Sequence, residues 1–358
     1  MKKVLVIITT AFVSYGGLTM VAMNYYRAID KSKIIIDFAS SNKISEELRE
    51  ELRQNNSSYY QLPSRKKPFK YVKVLKKIVV GYDVVHVNGN SATMALDLRA
   101  PYKCKCPVRI AHCHNTKTSH PIINKILKPI FSKMYTNAVA CSQSAGEWLF
   151  GPDNFLVLPN AINLSKFNYS EIVRNKVRQE LNVVDKLVIG TVGAMNKQKN
   201  YEKLFNVFKQ IKENRSSSHL LCVTGTSVIP EGLQKIIDKL NFGDSITILH
   251  KRPDVNCLLQ AMDVFVFPSK WEGFGIALLE AQTAGLPCIA SDRVPYETNV
   301  TDNVRYLSLE LSDEQWAEVI LNEYDKNIPR SQSFNKIVLS DFNIEVAEKK
   351  LMEIYFAN

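Results

Sequence analysis

Two glutamates eight residues apart, Glu272 and Glu280, lie across a Gly-Phe-Gly turn in the stretch SKWEGFGIALLEAQTAGLPCIAS, residues 269–291. The residues before the turn, Asp263-Val264-Phe265-Val266-Phe267, are β-branched and aromatic and run into Pro268, so they read as a buried parallel strand. After the turn Ile276, Leu279 and Glu280 fall at helical spacing, Gly285 is placed to cap the helix, and Pro287 bars its continuation. A strand, a glycine-bearing turn and a helix N-terminus make an anion site, because backbone N–H groups and the helix dipole both point at the turn. A phosphate is the natural occupant. Carboxylates touching that phosphate would repel it, so their expected work is to accept hydrogen bonds from neutral hydroxyls on either side of it. Eight residues at about 1.5 Å rise span ~12 Å, comparable with the separation of a ribose and a sugar joined through a pyrophosphate. The spacing therefore fits a nucleotide sugar. A capping carboxylate plus an exposed surface residue is the plainer account of such a pair taken alone.

The elements that would position this site recur along the chain. Apolar strand patterns alternate with helical ones, from KVLVIIT, KIIIDFA, DVVHVNG, VRIAHCH and FLVLPN to KLVIGTV, SHLLCVTG, SITILHK, DVFVFPS and CIASD. Such alternation predicts doubly wound parallel sheets in an α/β chain, and 358 residues fit two domains better than one. The polar stretch NAINLSKFNYSEIVRNKVRQEL interrupts the rhythm. The expected division is a first domain over 1–165, a second over 166–340, and a terminal amphipathic helix within 341–358. Seven cysteines without regular spacing point to a reducing compartment and no disulfide framework. MKKVLVIITTAFVSYGG has the charged start of a signal peptide but no small-x-small cleavage site, and reads better as strand, glycine turn and helix.

Charge divides unevenly. Residues 1–170 hold 24 Lys and Arg against 10 Asp and Glu, whereas residues 171–358 hold 22 against 25. A basic first half favours an acidic partner: nucleic acid, an anionic membrane or a phosphorylated substrate. No nucleic-acid motif accompanies it.

The longer stretch FVFPSKWEGFGIALLEAQTAGLPCIASD resembles, almost residue by residue, the E-x7-E signature of retaining glycosyltransferases of the GT-B fold, family 4. The resemblance implies two Rossmann-like domains facing across a cleft, the N-terminal one binding the acceptor and the C-terminal one the nucleotide sugar, with the terminal helix crossing back to the first. It implies that Glu272 holds donor-sugar hydroxyls, Glu280 holds the ribose, and the backbone of Phe274, Gly275 and Ile276 receives the phosphates. GTVGAMNKQKN resembles the loop whose cations grip the pyrophosphate, keeping Gly193 and Lys199 but carrying Ala194 in place of the usual arginine, with Lys197 nearby as a substitute. LHKRPDVNCLL resembles the loop that receives the nucleotide base, which carries over Lys251 and Arg252; LPNAIN resembles the linker motif at the domain junction. In the first domain Gly16 and Gly17 fall on the acceptor side. His114 matches the cleft histidine that holds the reacting sugar, and His86, read as ending a strand, falls nearer the acceptor.

Metal is not expected. Cys104, Cys106, His112, Cys113 and His114 lack zinc-site spacing, and no Asp-x-Asp occurs to hold a divalent cation on a diphosphate. With the resemblance, the acceptor is expected to be a lipid-linked glycan of bacterial surface polysaccharide, the protein cytoplasmic and peripheral on the inner face of the membrane. RKKPFKYVKVLKK, residues 65–77, and PIINKILKPIFSK supply a basic, partly apolar surface suited to an anionic bilayer. Two rival readings remain: a nucleotide-sugar epimerase of the same fold, and, because of Ala194, a non-catalytic glycan-binding or activating subunit of another transferase.

Overall fold

Runs such as Val4-Leu5-Val6-Ile7-Ile8 and Val264-Phe265-Val266-Phe267 are buried on both faces and pair in parallel, as strands without polar alternation must. The structure, a computed structural model, describes residues 1–14 and 16–357. The chain divides into two units, Met1–Ile162 with Ile344–Asn358, and Asn163–Asn343.

Unit 1 is built on strands β1 (Lys2–Ile8), β2 (Ile34–Ser40), β3 (Tyr59–Gln61), β4 (Val84–Gly89), β5 (Val108–Cys113), β6 (Asn137–Ala140) and β7 (Leu156–Val157), in the spatial order β3-β2-β1-β4-β5-β6-β7. Unit 2 uses β8 (Leu187–Val192), β9 (Ser218–Thr224), β10 (Ile246–His250), β11 (Val264–Phe267), β12 (Cys288–Ser291) and β13 (Val304–Leu307), in the order β10-β9-β8-β11-β12-β13. Each sheet reverses its winding once, between β1 and β4 and between β8 and β11. At such a reversal the loops leaving the two strands diverge to opposite faces and open a crevice at the carboxyl ends, where ligands of α/β sheets bind. Both sheets are therefore of the doubly wound kind the alternation predicts.

In unit 2 the sheet is packed on both faces. One core gathers Phe265, Phe267, Leu278 and Leu286; the other gathers Phe205, Phe208, Val266 and Trp316. The start of β11 is fixed by charge. Arg174, Arg178 and Arg330 donate to the carbonyls of Leu259, Gln260, Ala261 and Met262, which end helix Val255–Ala261 and would otherwise lack partners. Asp263 pairs with Arg174 and Arg178 and accepts from the Val188 N–H at 2.8 Å, which ties β11 to β8.

Helix Ile276–Thr283 ends in a Schellman turn: the Gly285 N–H reaches the Gln282 carbonyl and the Leu286 N–H the Ala281 carbonyl, with Gly285 at φ +74°. In unit 1, helix Ile344–Phe356 buries Ala347, Leu351, Ile354 and Tyr355 and packs on helix Gly17–Ala28. The Ile344 N–H donates to the Ile162 carbonyl at 3.1 Å where the chain re-enters the unit.

Candidate functional site

Lys199 and Glu272 stand 73 residues apart in sequence and meet at the β8–β11 reversal, with the Lys199 ammonium 2.7 Å from one Glu272 oxygen. Each arrives on a loop leaving one of the two strands. The loops are laced together: the Lys270 N–H donates to the Gln198 carbonyl at 2.8 Å, and the Gln198 amide donates to the Trp271 carbonyl and to the second Glu272 oxygen at 3.2 Å. Both Glu272 oxygens are thus held, and the residue is buried. A carboxylate offers about four lone-pair positions, so two remain for hydroxyls.

The anion-binding half lies next to this pair. Gly275 caps helix Ile276–Thr283 at φ +97° and brings no side chain to occupy the helix's first N–H groups, as an anion cradle requires. The Phe267 ring joins the parts. Lys199 Nζ sits 4.3 Å from its centroid, and a Cβ added at Gly275 would lie 3.3 Å from its Cε1. A Cβ on Gly193 would meet the Lys199 stem at 3.0 Å, so a bare backbone there lets the lysine lie flat. Phe274 is buried, stacked on Phe342, with its carbonyl accepting from Thr298 Oγ1 at 2.5 Å.

The remaining donor-side residues are spread more widely. Glu280 is half-buried, and burial pushes its carboxyl up to about 8, so near neutrality it is mostly protonated, with one O–H to donate and oxygens to accept. Only part of the Glu272–Glu280 interval is helical, since the helix begins at Ile276, so the ~12 Å of an unbroken eight-residue helix does not apply. Lys197 is exposed. Arg252 makes a forked pair with Asp254, at 2.7 and 2.5 Å, beside the Lys251 turn at φ +50°.

Unit 1 places its histidines in the interior. β4 runs on to Gly89, in register with β1 and β5 through Ile8↔Asn88 and Gly89↔Cys113, so His86 lies three residues inside the strand and does not end it. It is 4% exposed, with one ring nitrogen 2.8 Å from the Tyr355 hydroxyl and the other 3.1 Å from His112 Nδ1. Those contacts point it into the unit's core and tie it to helix Ile344–Phe356.

His114, just past β5, has Nδ1 3.1 Å from Asn160 Oδ1 and Nε2 2.9 Å from Asn88 Oδ1. Burial holds its pKa down at about 4, so it is neutral and cannot donate twice. The buried Asn88 Nδ2 lacks a partner; turning that amide over lets it donate to Nε2 and satisfies both groups, with Nδ1–H donating to Asn160. Both ring nitrogens are then consumed. Gly16 caps helix Gly17–Ala28, and Gly17 is exposed with open space where a Cβ would stand.

Gln198, Asn88 and Asn160 are absent from the sequence reading. Gln198 adjoins Lys199 and Asn160 sits in the linker motif, but nothing local marks an amide as the partner of a distant charge or ring.

Burial lowers His86 to about 3, His114 to about 4 and His112 well below the usual range, and the crowded rings lower His86 and His112 further. Below the unfolded value near 6.5 the unfolded chain binds protons that the native state refuses. The stability these groups contribute is complete above about pH 6.5 and drains as pH falls toward 4, on the order of 1.4 kcal/mol per histidine per pH unit. Urea midpoints are expected to drop steeply between pH 7 and pH 5. A flat profile over that interval would show that the three rings are already protonated in the fold.

Residues 173–336 match the family model described as Glycosyl transferases group 1. EpsF of Bacillus subtilis (strain 168), which bears a provisional glycosyltransferase name, is 27% identical over 360 residues, covering 95% of this chain and 93% of its own. An Escherichia coli UDP-Gal:alpha-D-GlcNAc-diphosphoundecaprenol alpha-1,3-galactosyltransferase is 28% identical over 79% of this chain and 77% of its own. The Staphylococcus aureus capsular polysaccharide biosynthesis glycosyltransferase CapH is 25% identical over 96% of both chains. Among solved structures, Anabaena HepE in complex with UDP-glucose aligns with a TM-score of 0.82 at 15% identity, covering 98% of each chain. At that identity the likeness speaks for the fold, two Rossmann-like domains of the GT-B kind.

Proposed function

We propose that, with residues 173–336 a group 1 glycosyltransferase domain, the chain moves a sugar from a UDP-linked donor to a lipid-linked glycan in surface polysaccharide assembly, with retention at the anomeric carbon. The observation that carries this reading is the Lys199–Glu272 pair set beside the open N-terminus of helix Ile276–Thr283. A cation and an oriented helix end suit a diphosphate that gains charge as it leaves, and the spare lone pairs of Glu272 suit the hydroxyls of the sugar. HepE is in complex with UDP-glucose, and the E. coli relative's name pairs a UDP-sugar with a diphosphoundecaprenol acceptor. In retaining glycosidases a second carboxyl about 5 Å away acts as nucleophile. Glu272, tied at both oxygens by Lys199 and Gln198, is poorly disposed to that, and same-face attack guided by the departing phosphate is the step proposed.

Lys199, Lys197 and the helix end would meet the phosphate charge with no divalent cation. The protein would work on the inner face of the cell membrane; among the described residues no helix is long and apolar enough to cross one. Incubation with uridine, guanosine and adenosine sugars, with and without membrane lipid extract, tests the reading through nucleoside diphosphate release. Release from a UDP-sugar that depends on the extract is expected. Donor conversion without any acceptor would instead mark an epimerase, and no calorimetric binding of any donor would leave the helper-subunit reading.

Two further outcomes are expected. EDTA leaves the rate unchanged, and a rate abolished by EDTA and restored by Mn²⁺ overturns the metal-free step. Ala194→Arg tightens UDP-sugar binding about tenfold in calorimetry by adding a forked contact to the diphosphate; unchanged affinity would place position 194 out of reach.

A further inference from the structure

Helix Pro121–Phe131 carries its apolar stripe on the wrong side for a core helix. Ile122, Ile126 and Ile130, at i, i+4 and i+8, are 75%, 65% and 50% exposed, and Ile123 beside them is 48% exposed. The inward side is instead made by Phe131, half-buried Leu127 and Asn124, whose side-chain oxygen accepts from the Ala92 N–H at 2.8 Å. An isoleucine row at helical period ordinarily faces the sheet. Here it points away from it.

The charge along this segment is of one sign up to exposed Glu147, which adjoins Trp148, whose carbonyl accepts from Lys128 Nζ at 3.3 Å. Residues 114–146 contain no Asp or Glu, and Lys125, Lys128 and Lys133 are exposed beside the isoleucines. The connections β3–β4, β4–β5 and β5–β6 all advance the same way along the sheet, so right-handed crossovers put their helices on one face. There helix Ala95–Lys103 packs against both helix Pro121–Phe131 and helix Pro68–Val79. The last of these turns Phe69, 93% exposed, outward in a row with Lys73, Lys76 and Val80, and exposes Lys66, Lys67, Lys70 and Lys77 as well. Residues 52–82 also hold no acid. The acid of the middle helix, Asp97, is fully buried and committed to Arg65 and Tyr71.

We propose that this face of unit 1 docks on an anionic bilayer, with the Ile122–Ile126–Ile130 row entering the interface between headgroups and acyl chains while the lysines of both helices lie among the headgroups. A second copy of the chain on this face would set lysine against lysine, and nucleic acid would gain nothing from four exposed isoleucines. An apolar row rimmed mainly by cations matches a surface that is negative outside and hydrocarbon within. The proposal stands apart from the chemistry of unit 2, and its readout needs no turnover.

The test is flotation of the full chain with vesicles of phosphatidylcholine alone and of phosphatidylcholine mixed three to one with phosphatidylglycerol. The wild type is expected to float with the mixed vesicles, less so in high salt, and only weakly with the neutral ones. Replacing Ile122, Ile126 and Ile130 together by serine should lower the partition coefficient about tenfold or more while the urea midpoint stays put, because the side chains are exposed. Lys125→Gln with Lys128→Gln and Lys133→Gln should weaken binding to the mixed vesicles and flatten its salt dependence. Unaltered flotation of the triple serine variant overturns the proposal, as does equal flotation of the wild type with both vesicle types. A lipid-free dimer in sedimentation velocity that the serine variant dissolves would also overturn it, by making the row a contact between copies.

Discussion

Glu272→Gln is expected to lower kcat/KM by about a hundredfold or more, and Lys199→Met by a similar factor, while the double variant loses little beyond the worse single one. The two groups form one ion pair at 2.7 Å, so on the proposed reading each single change would remove a contact with the donor and also leave the other group without its partner in the pair. One lost charge-assisted contact that strengthens in the transition state costs about 3 kcal/mol, which is roughly a hundredfold in rate. Residues in direct contact are non-additive for this reason. Glu280→Gln should cost far less. Its carboxyl, raised to about 8 by burial, is mostly neutral at working pH, and a glutamine mimics that state closely. Steady-state kinetics on the four proteins decides the matter. Independent, additive losses at Glu272 and Lys199 would mean that the pair separates before the donor binds, and equal losses at the two glutamates would undo their separate assignments.

The largest stability effect is expected at Gly285. An alanine there must hold φ near +74°, at about 1–2 kcal/mol for an L-residue, and its Cβ would stand 2.2 Å from the Arg330 carbonyl oxygen, a backbone atom that cannot swing aside. Arg330 is itself fastened to the carbonyls of Leu259, Gln260 and Ala284. The clash therefore spreads into the arginine cluster that fixes β11, and Gly285→Ala should lower the urea stability of unit 2 by about 3 kcal/mol or more. Gly17→Ala, with open space around the new methyl, serves as the control and should sit within about 0.5 kcal/mol of wild type. Equal midpoints for the two variants would show that the end of helix Ile276–Thr283 relaxes freely.

What the sequence discloses and what it withholds divide along a physical line. The DVFVF strand, the Gly275 turn, the helix after it and the Gly285 cap are local, set by β-branched runs, chirality and the proline at 287, and they stand where the pattern predicts. The Lys199–Glu272 contact is not local: it exists because β8 and β11 are neighbours, and neighbour order is decided by how the whole sheet winds. His86 misleads for a related reason. It is read as ending its strand, yet hydrogen bonding to β1 and β5 on either side carries that strand on to Gly89. Periodicity tells which residues share a helix face but not where that face points, so the PIINKILKPIF pattern leaves the direction of its isoleucine row open. The pairing of His114 with Asn88 and Asn160 requires the ends of two strands and the close of unit 1 to be brought together first.

Unit 1 is also a unit interrupted in time. Its residues come from both ends of the chain, 1–162 and 344–358, with all of unit 2 made in between. Until helix Ile344–Phe356 leaves the ribosome, helix Gly17–Ala28 lacks its packing partner and His86 lacks the Tyr355 hydroxyl. At about 5–20 residues per second the synthesis of unit 2 imposes a wait on the order of ten to forty seconds. The first domain to be translated is therefore the last to be finished. A nascent chain stalled within unit 2 should present a protease-sensitive first half, its seven strands in hand and its closing helix still unwritten.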